Sequence, residues 1–64
     1  MDAGKIIKHC RKSAGLTQKQ LADRIFVSVT TIGNYESEWR DAPYATMQEI
    51  AKACGYRIYW KKIK

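Results

Sequence analysis

The chain has 64 residues, 45% of them hydrophobic, and a formal net charge of +6. A chain of about 60 residues buries only ~60% of the surface it exposes unfolded, so one domain with a small core is the limit, and no apolar run approaches the ~18 residues of a membrane-spanning helix. The six acidic residues are scattered and the single histidine, His9, is isolated, so neither an enzyme nor a metal site is expected, while the basic excess favours a polyanionic partner, nucleic acid ahead of an anionic membrane.

The opening "MDAGKIIKHC" has no apolar stretch of the kind an export signal carries, so a cytoplasmic location is expected. Ala3, Ile7, Cys10 and Ala14 recur at helical spacing and predict a first helix over 3–14. Asp2 is its natural N-cap and Gly15 its natural stop. Cys10 and Cys54 lack the spacing of zinc ligands and read as small buried apolar residues. No cofactor or small-molecule ligand is expected.

Thr17 opens a second helix over 18–25, with Gln20 three residues on completing a capping box. Leu21, Ala22 and Ile25 supply its inner face. The next segment, "VSVTTIGNYE", is β-branched and strand-like by propensity, yet Ser28 is a good cap, and Ile32 and Tyr35 point inward together only in a helix. A strand here would alternate poorly, and a propensity difference of a few tenths of a kcal/mol per residue yields to packing. A helix over 28–36 is therefore predicted. A polar loop, "SEWRDA", comes next. Pro43 then starts a fourth helix over 44–54, with Tyr44, Met47, Ile50, Ala51 and Cys54 inward and Gly55 as stop. The tail "YRIYWKKIK" alternates with period two, placing Tyr56, Ile58 and Trp60 on one face, and reads as a strand with no partner within the chain.

Two short capped helices joined by a tight turn on a basic domain form a helix-turn-helix. Ala22 is small where the helices cross, and Val29, Thr30, Gly33 and Asn34 are left facing outward. That outward surface is uncharged, compact and rich in methyl and polar groups, which suits a groove. Asn34 can pair with adenine N6 and N7, and the methyls of Val29 and Thr30 can meet a thymine methyl, so readout biased toward A·T pairs is expected. Helix N-termini present free N–H groups to phosphates, and Thr17 and Ser28 are placed to join them.

The stretches "GLTQKQLADRI", "VSVTTIGNYE" and "IAKACG" resemble the phage repressor, Cro and related helix-turn-helix regulators, over residues 3–55. The resemblance implies an all-α bundle of four to five short helices, here with a C-terminal β-strand extension, that binds operator DNA as a dimer. It implies base contacts from Gln18, Ser28, Val29, Thr30 and Asn34, with Gln18 also touching phosphate and steadying a base-reading side chain. It further implies phosphate contacts from Arg11, Thr17, Lys19, Ser37 and Arg40, and an ion pair between Arg11 and Glu36. The chain departs from the family at Phe26 and Glu38, where glycine is usual, and at Gly33, inside the recognition helix. Phe26 leaves two expectations open, an altered turn or a tolerated positive φ. The acids Glu38 and Asp41 add negative charge to that loop, which opposes phosphate contacts there.

Residues 1–55 are thus expected to form the DNA-binding domain and 56–64 a tail. Tyr56, Ile58 and Trp60 would serve dimerisation, by antiparallel pairing of two tails. Two alternatives stay open for the tail: folding back on its own bundle, or acting as a basic arm through Arg57, Lys61, Lys62 and Lys64. For function, a Cro-type repressor of a phage or mobile element is expected. The alternatives are an antitoxin-like protein-interaction module with secondary DNA binding, and a nonspecific nucleic-acid binder.

Overall fold

The structure is a computed structural model and describes residues 3–56. Four helices succeed one another: α1 (Ala3–Ser13), α2 (Gln18–Arg24), α3 (Val29–Glu36) and α4 (Tyr44–Ala53). Among the described residues there is no strand. Of the expected strand at 56–63, only Tyr56 is described; it comes after the turn that closes α4 and is not extended into a sheet. The remainder of that expectation, and Asp2 as a cap, lie outside the described residues.

The core forms where the inner faces of all four helices meet: Ile7, Leu16, Leu21, Ala22, Ile32, Ile50 and Cys54 are buried, with Ile25, Val27, Tyr35 and Met47 packed against them. Leu21 and Ile32 have no exposed surface, which locks α2 to α3. The two cap predictions hold. Thr17 Oγ1 accepts from the Gln20 amide at 3.1 Å while the Thr17 amide donates to Gln20 Oε1 at 2.8 Å. Ser28 Oγ accepts from the Thr31 amide at 3.1 Å, so the strand-prone segment coils.

The face of α1 differs from the expected one. Gly4, Ile7 and Arg11 are buried, whereas Ala14 is exposed and Cys10 only half-buried. Ile50 and Ala51 of α4 and its C-cap residue Cys54 turn inward as expected, but Tyr44 is 43% exposed. Burial pushes both thiols, Cys10 and Cys54, above their ordinary range, and neither is in a disulfide.

Every helix is closed by a residue in the left-handed region: Gly15 after α1, Phe26 after α2, Glu38 after α3 and Gly55 after α4. Such a residue lets the following amide return to an orphan carbonyl of the last turn. The returning bonds are Leu16 to Arg11 at 3.1 Å, Val27 to Ala22 at 3.0 Å and Tyr56 to Ala51 at 2.7 Å. Of the two expectations for Phe26, the second is the one observed: φ is +62° and the turn is retained. Its side chain is 93% exposed and contributes no packing to offset the strain. The left-handed conformation costs a non-glycine residue about 1–2 kcal/mol, and glycine returns part of that through unfolded-chain entropy. Phe26→Gly is therefore expected to stabilise the domain by about 0.5–1 kcal/mol, raising Tm by about 4–8 °C per kcal/mol. A Tm that falls would mean that Phe26 makes contacts its exposure does not reveal.

Candidate nucleic-acid interface

The helix-turn-helix is built from α2, the turn at Phe26 and α3. Ala22, almost fully buried, sits in the contact between the two helices. Ser28, Val29 and Thr30 form the exposed first turn of α3, and Asn34 is half-buried one turn further along. The Ser28 hydroxyl is committed to capping, and also shares a hydrogen bond of 2.9 Å with Thr31 Oγ1. No described residue hydrogen-bonds the side-chain amide of Asn34.

Behind this face lies a polar network that spans three helices. The Arg11 guanidinium donates through Nε to Glu36 Oε2 at 2.6 Å and through Nη2 to Oε1 at 3.1 Å. Its third arm, Nη1, donates to the Leu16 carbonyl at 2.9 Å. Glu36 Oε1 also accepts from Gln18 Nε2 at 3.1 Å. A planar guanidinium and a carboxylate match in this two-point geometry, which fixes their mutual orientation. Because an ionised carboxylate only accepts, Gln18 must turn its NH2 toward Glu36, and its Oε1 is left toward α3 beside Gly33. Arg11 is 8% exposed and no buried side-chain polar atom among the described residues lacks a partner.

Burial by itself would raise the Glu36 carboxyl, but the hydrogen bonds from Arg11 and Gln18 and the charges of Arg11 and Lys8 outweigh it, so the group is held below the usual carboxylate range. The hydrogen bond to Glu36 raises Arg11 in turn, against the cost of burial. The end of α3 therefore carries an ion pair whose two charges offset one another at neutral pH.

The structure brings Arg11, Gln18 and Glu36 together, as the resemblance implied for the pair. The remaining expected site residues are separate from that network. Lys19 is exposed and pairs with Asp23 at 3.6 Å. Ser37 and Arg40 are exposed on the loop after α3, where the Ser37 hydroxyl donates to the Asn34 carbonyl at 3.3 Å and the Arg40 amide to the same oxygen at 3.2 Å. Thr17 is exposed at the N-terminus of α2 with its hydroxyl in the capping box. Ile58 and Trp60 lie outside the described residues.

Sequence reasoning missed Gly4. A Cβ there would lie 2.5 Å from the Glu36 carbonyl oxygen and 2.7 Å from that of Tyr35. The start of α1 thus presses directly on the last turn of α3, next to the carboxylate that Arg11 holds. The buried residues Gly4, Ile7 and Arg11 are offset by one residue from the apolar spacing Ala3, Ile7, Cys10, Ala14, so an apolar count passes over them.

Two short capped helices, locked through Leu21, Ala22 and Ile32 and presenting an uncharged exposed first turn, define a helix-turn-helix protein. Residues 7–61 match the helix-turn-helix family, and the chain belongs to that family in its repressor- and Cro-like, XRE-type form. It is 33% identical over 51 residues to the HTH-type transcriptional regulator ImmR of Bacillus subtilis (strain 168), a match covering 80% of this chain and 40% of that protein. It is also 35% identical over 63 residues to endothelial differentiation-related factor 1 of Homo sapiens, covering 98% of this chain and 43% of that one. The chain therefore spans about two-fifths of the length of the curated relatives it matches. No solved structure matches it significantly.

Proposed function

We propose that this chain is a sequence-specific, double-stranded-DNA-binding transcriptional regulator, a Cro-type repressor of a phage or mobile element, that lays α3 in the major groove of its operator and acts as a homodimer. The observation that carries this reading is the exposed, uncharged first turn of α3 on a helix held from behind by the Arg11–Glu36–Gln18 network. A base-reading surface must be rigid before it meets DNA, and this network supplies that rigidity without placing a net charge beside the phosphates. The net charge of +6 and the similarity to a bacterial transcriptional regulator support the same reading.

In this reading Asn34, Val29, Thr30 and Ser28 meet base edges, and Gln18 presents its oriented amide to a base or phosphate. Thr17, Lys19, Ser37 and Arg40 meet phosphates. Three of the five N–H donors of Arg11 are engaged within the protein, so it acts chiefly by holding Glu36, with its remaining donors turned to phosphate use. Tyr56, Ile58 and Trp60 belong to the dimerisation element.

Selection of bound duplexes from a random pool tests the proposal. The expected product is a site of two inverted, A·T-biased half-sites about 34 Å apart, one helical turn. Asn34→Ala should then cost about 1–3 kcal/mol on that site and little on random DNA. A pool that never converges would refute sequence-specific recognition, and equal losses on both DNAs would remove Asn34 from base readout.

A further inference from the structure

The chain has 4 glycines, and the fold accounts for all but Gly33. Gly15 and Gly55 close helices at positive φ, and Gly4 lies where a Cβ would strike the backbone of α3. Gly33 has no such reason. It sits inside α3 without a positive φ, and a Cβ built on it meets nothing nearer than Gln18 Oε1, at 3.9 Å. Glycine inside a helix is less stable than alanine, because it surrenders more backbone freedom on folding. The folded chain by itself would therefore favour alanine at this position. We infer that Gly33 determines specificity: its missing Cβ leaves a notch in the outward side of α3 that admits the 5-methyl group of a thymine in the major groove. This role rests on the DNA-binding reading proposed above and adds an element to its base recognition.

The surroundings of the notch select its occupant. Side chains three and four residues apart share a helix face, so Val29, Thr30, Gly33 and Asn34 stand together on α3. Val29 and Thr30 are exposed and carry methyl groups one turn before the notch, while Gly33 and Asn34 are half-buried. Across from them stands Gln18. Its NH2 is held by Glu36 at 3.1 Å, so the atom it turns toward Gly33 is its oxygen.

A phosphate fits this place badly. Gly33 lies beyond the first turn of α3, so its N–H is taken by the helix ladder and offers nothing to an anion. Gln18 Oε1 is an acceptor and repels a phosphate oxygen. A methyl group needs no donor and gains by leaving water. Of the four standard bases only thymine carries one on its major-groove edge. The choice agrees with Asn34 beside the notch, whose amide suits adenine.

The test uses the full chain and the duplex that it selects from a random pool. Each thymine of that duplex is replaced in turn by deoxyuridine, which removes the methyl group and keeps the base pairing. Wild type and Gly33→Ala are titrated on every duplex, with circular dichroism showing that both are helical. Gly33→Ala is expected to bind the selected duplex about tenfold more weakly than wild type, because alanine puts its own methyl where that of thymine belongs. At one thymine of each half-site, deoxyuridine should weaken wild type about fourfold, the value of one buried methyl group, and should strengthen binding by Gly33→Ala. Thymines that meet Val29 or Thr30 should affect the two proteins alike. Equal affinity of the two proteins for the selected duplex would overturn the assignment of Gly33 and leave the DNA-binding reading intact. So would a loss in Gly33→Ala that deoxyuridine relieves at no position, since alanine would then obstruct something other than a methyl group. A pool from which no duplex is selected would overturn the reading and the role of Gly33 together.

Discussion

Arg11→Met should remove most of the domain's stability at neutral pH. Taking one partner from a buried, hydrogen-bonded pair leaves the other charge uncompensated and costs about 3–5 kcal/mol. A domain of 64 residues has roughly 3–10 kcal/mol in total at ~0.05–0.15 kcal/mol per residue. The Glu36 side chain, 5% exposed, cannot turn to water without unwinding the end of α3. The loss also leaves the Leu16 carbonyl without its side-chain donor and removes the arginine that holds the Glu36 Oε1 on which Gln18 is anchored. Adding Glu36→Gln to Arg11→Met removes the stranded charge, keeps an acceptor for Gln18 and should recover a substantial part of the loss. Urea midpoints of the three proteins decide the matter. A loss below about 1 kcal/mol, the value of a solvent-exposed pair, would show that the network does not hold α1 to α3.

Acid provides an independent reading of the same contact. The folded-state pKa of Glu36 is lowered, so its contribution to stability is fully present above the ordinary carboxylate value, about 4.3, and is lost as pH falls through the folded-state value. In Arg11→Met the principal lowering influence is gone and burial acts to raise the group. The buried charge is then most harmful at neutral pH and is relieved by protonation. Wild-type stability should decline below about pH 4.3, whereas the variant should gain on mild acidification; parallel profiles would contradict the assignment.

The parts of this fold that were legible in the sequence are those decided within a few residues. Thr17 with Gln20, and Ser28 with Thr31, satisfy their own helix starts, so hydroxyl and amide spacing suffices to find them. That local signal also resolved the strand-like "VSVTTI" as the start of α3. What the pattern could not reveal depends on partners far along the chain. Arg11 is buried because Glu36 lies 25 residues away, and nothing in a local apolar count favours placing arginine inside. Gly4 is buried because it has no side chain to keep α3 at a distance, so a search for apolar residues skips it in favour of Ala3. Glu38 adopts φ +63° as Phe26 adopts +62°, although neither residue type advertises the left-handed region. Both were identifiable only by comparison with a family that uses glycine there. Within the candidate site, the residue types of the exposed face were readable from composition. The orientation of Gln18 was not, since it is set by a carboxylate whose place depends on the packing of α1.

Gly4→Ala and Gly33→Ala should move stability in opposite directions, although both place alanine in a helix. Alanine is the better helix former by about 1 kcal/mol in each case. At Gly33 a Cβ meets only Gln18 Oε1, at 3.9 Å, an ordinary contact. The helix gain should therefore appear almost whole, and Gly33→Ala should raise Tm. At Gly4 the Cβ meets two backbone oxygens, at 2.5 Å and 2.7 Å, and Glu38 Cγ at 2.7 Å. The Glu38 side chain can swing away; the carbonyls of Tyr35 and Glu36 belong to α3 and can yield only if the helices part. Overpacking of this kind costs about 1–3 kcal/mol, and the severity of the approach places it at the upper end, for a net loss of about 1–2 kcal/mol after the helix gain. The displacement would also be felt at Arg11, two turns along the same face of α1, so under the proposed function Gly4→Ala should weaken DNA binding beyond what the loss of folded protein explains. Thermal denaturation and DNA titration of the two variants, compared at equal folded fraction, test both statements. If Gly4→Ala is as stable as Gly33→Ala, the contact between α1 and the end of α3 is looser than described, and the route by which α1 holds the recognition helix in place is lost with it.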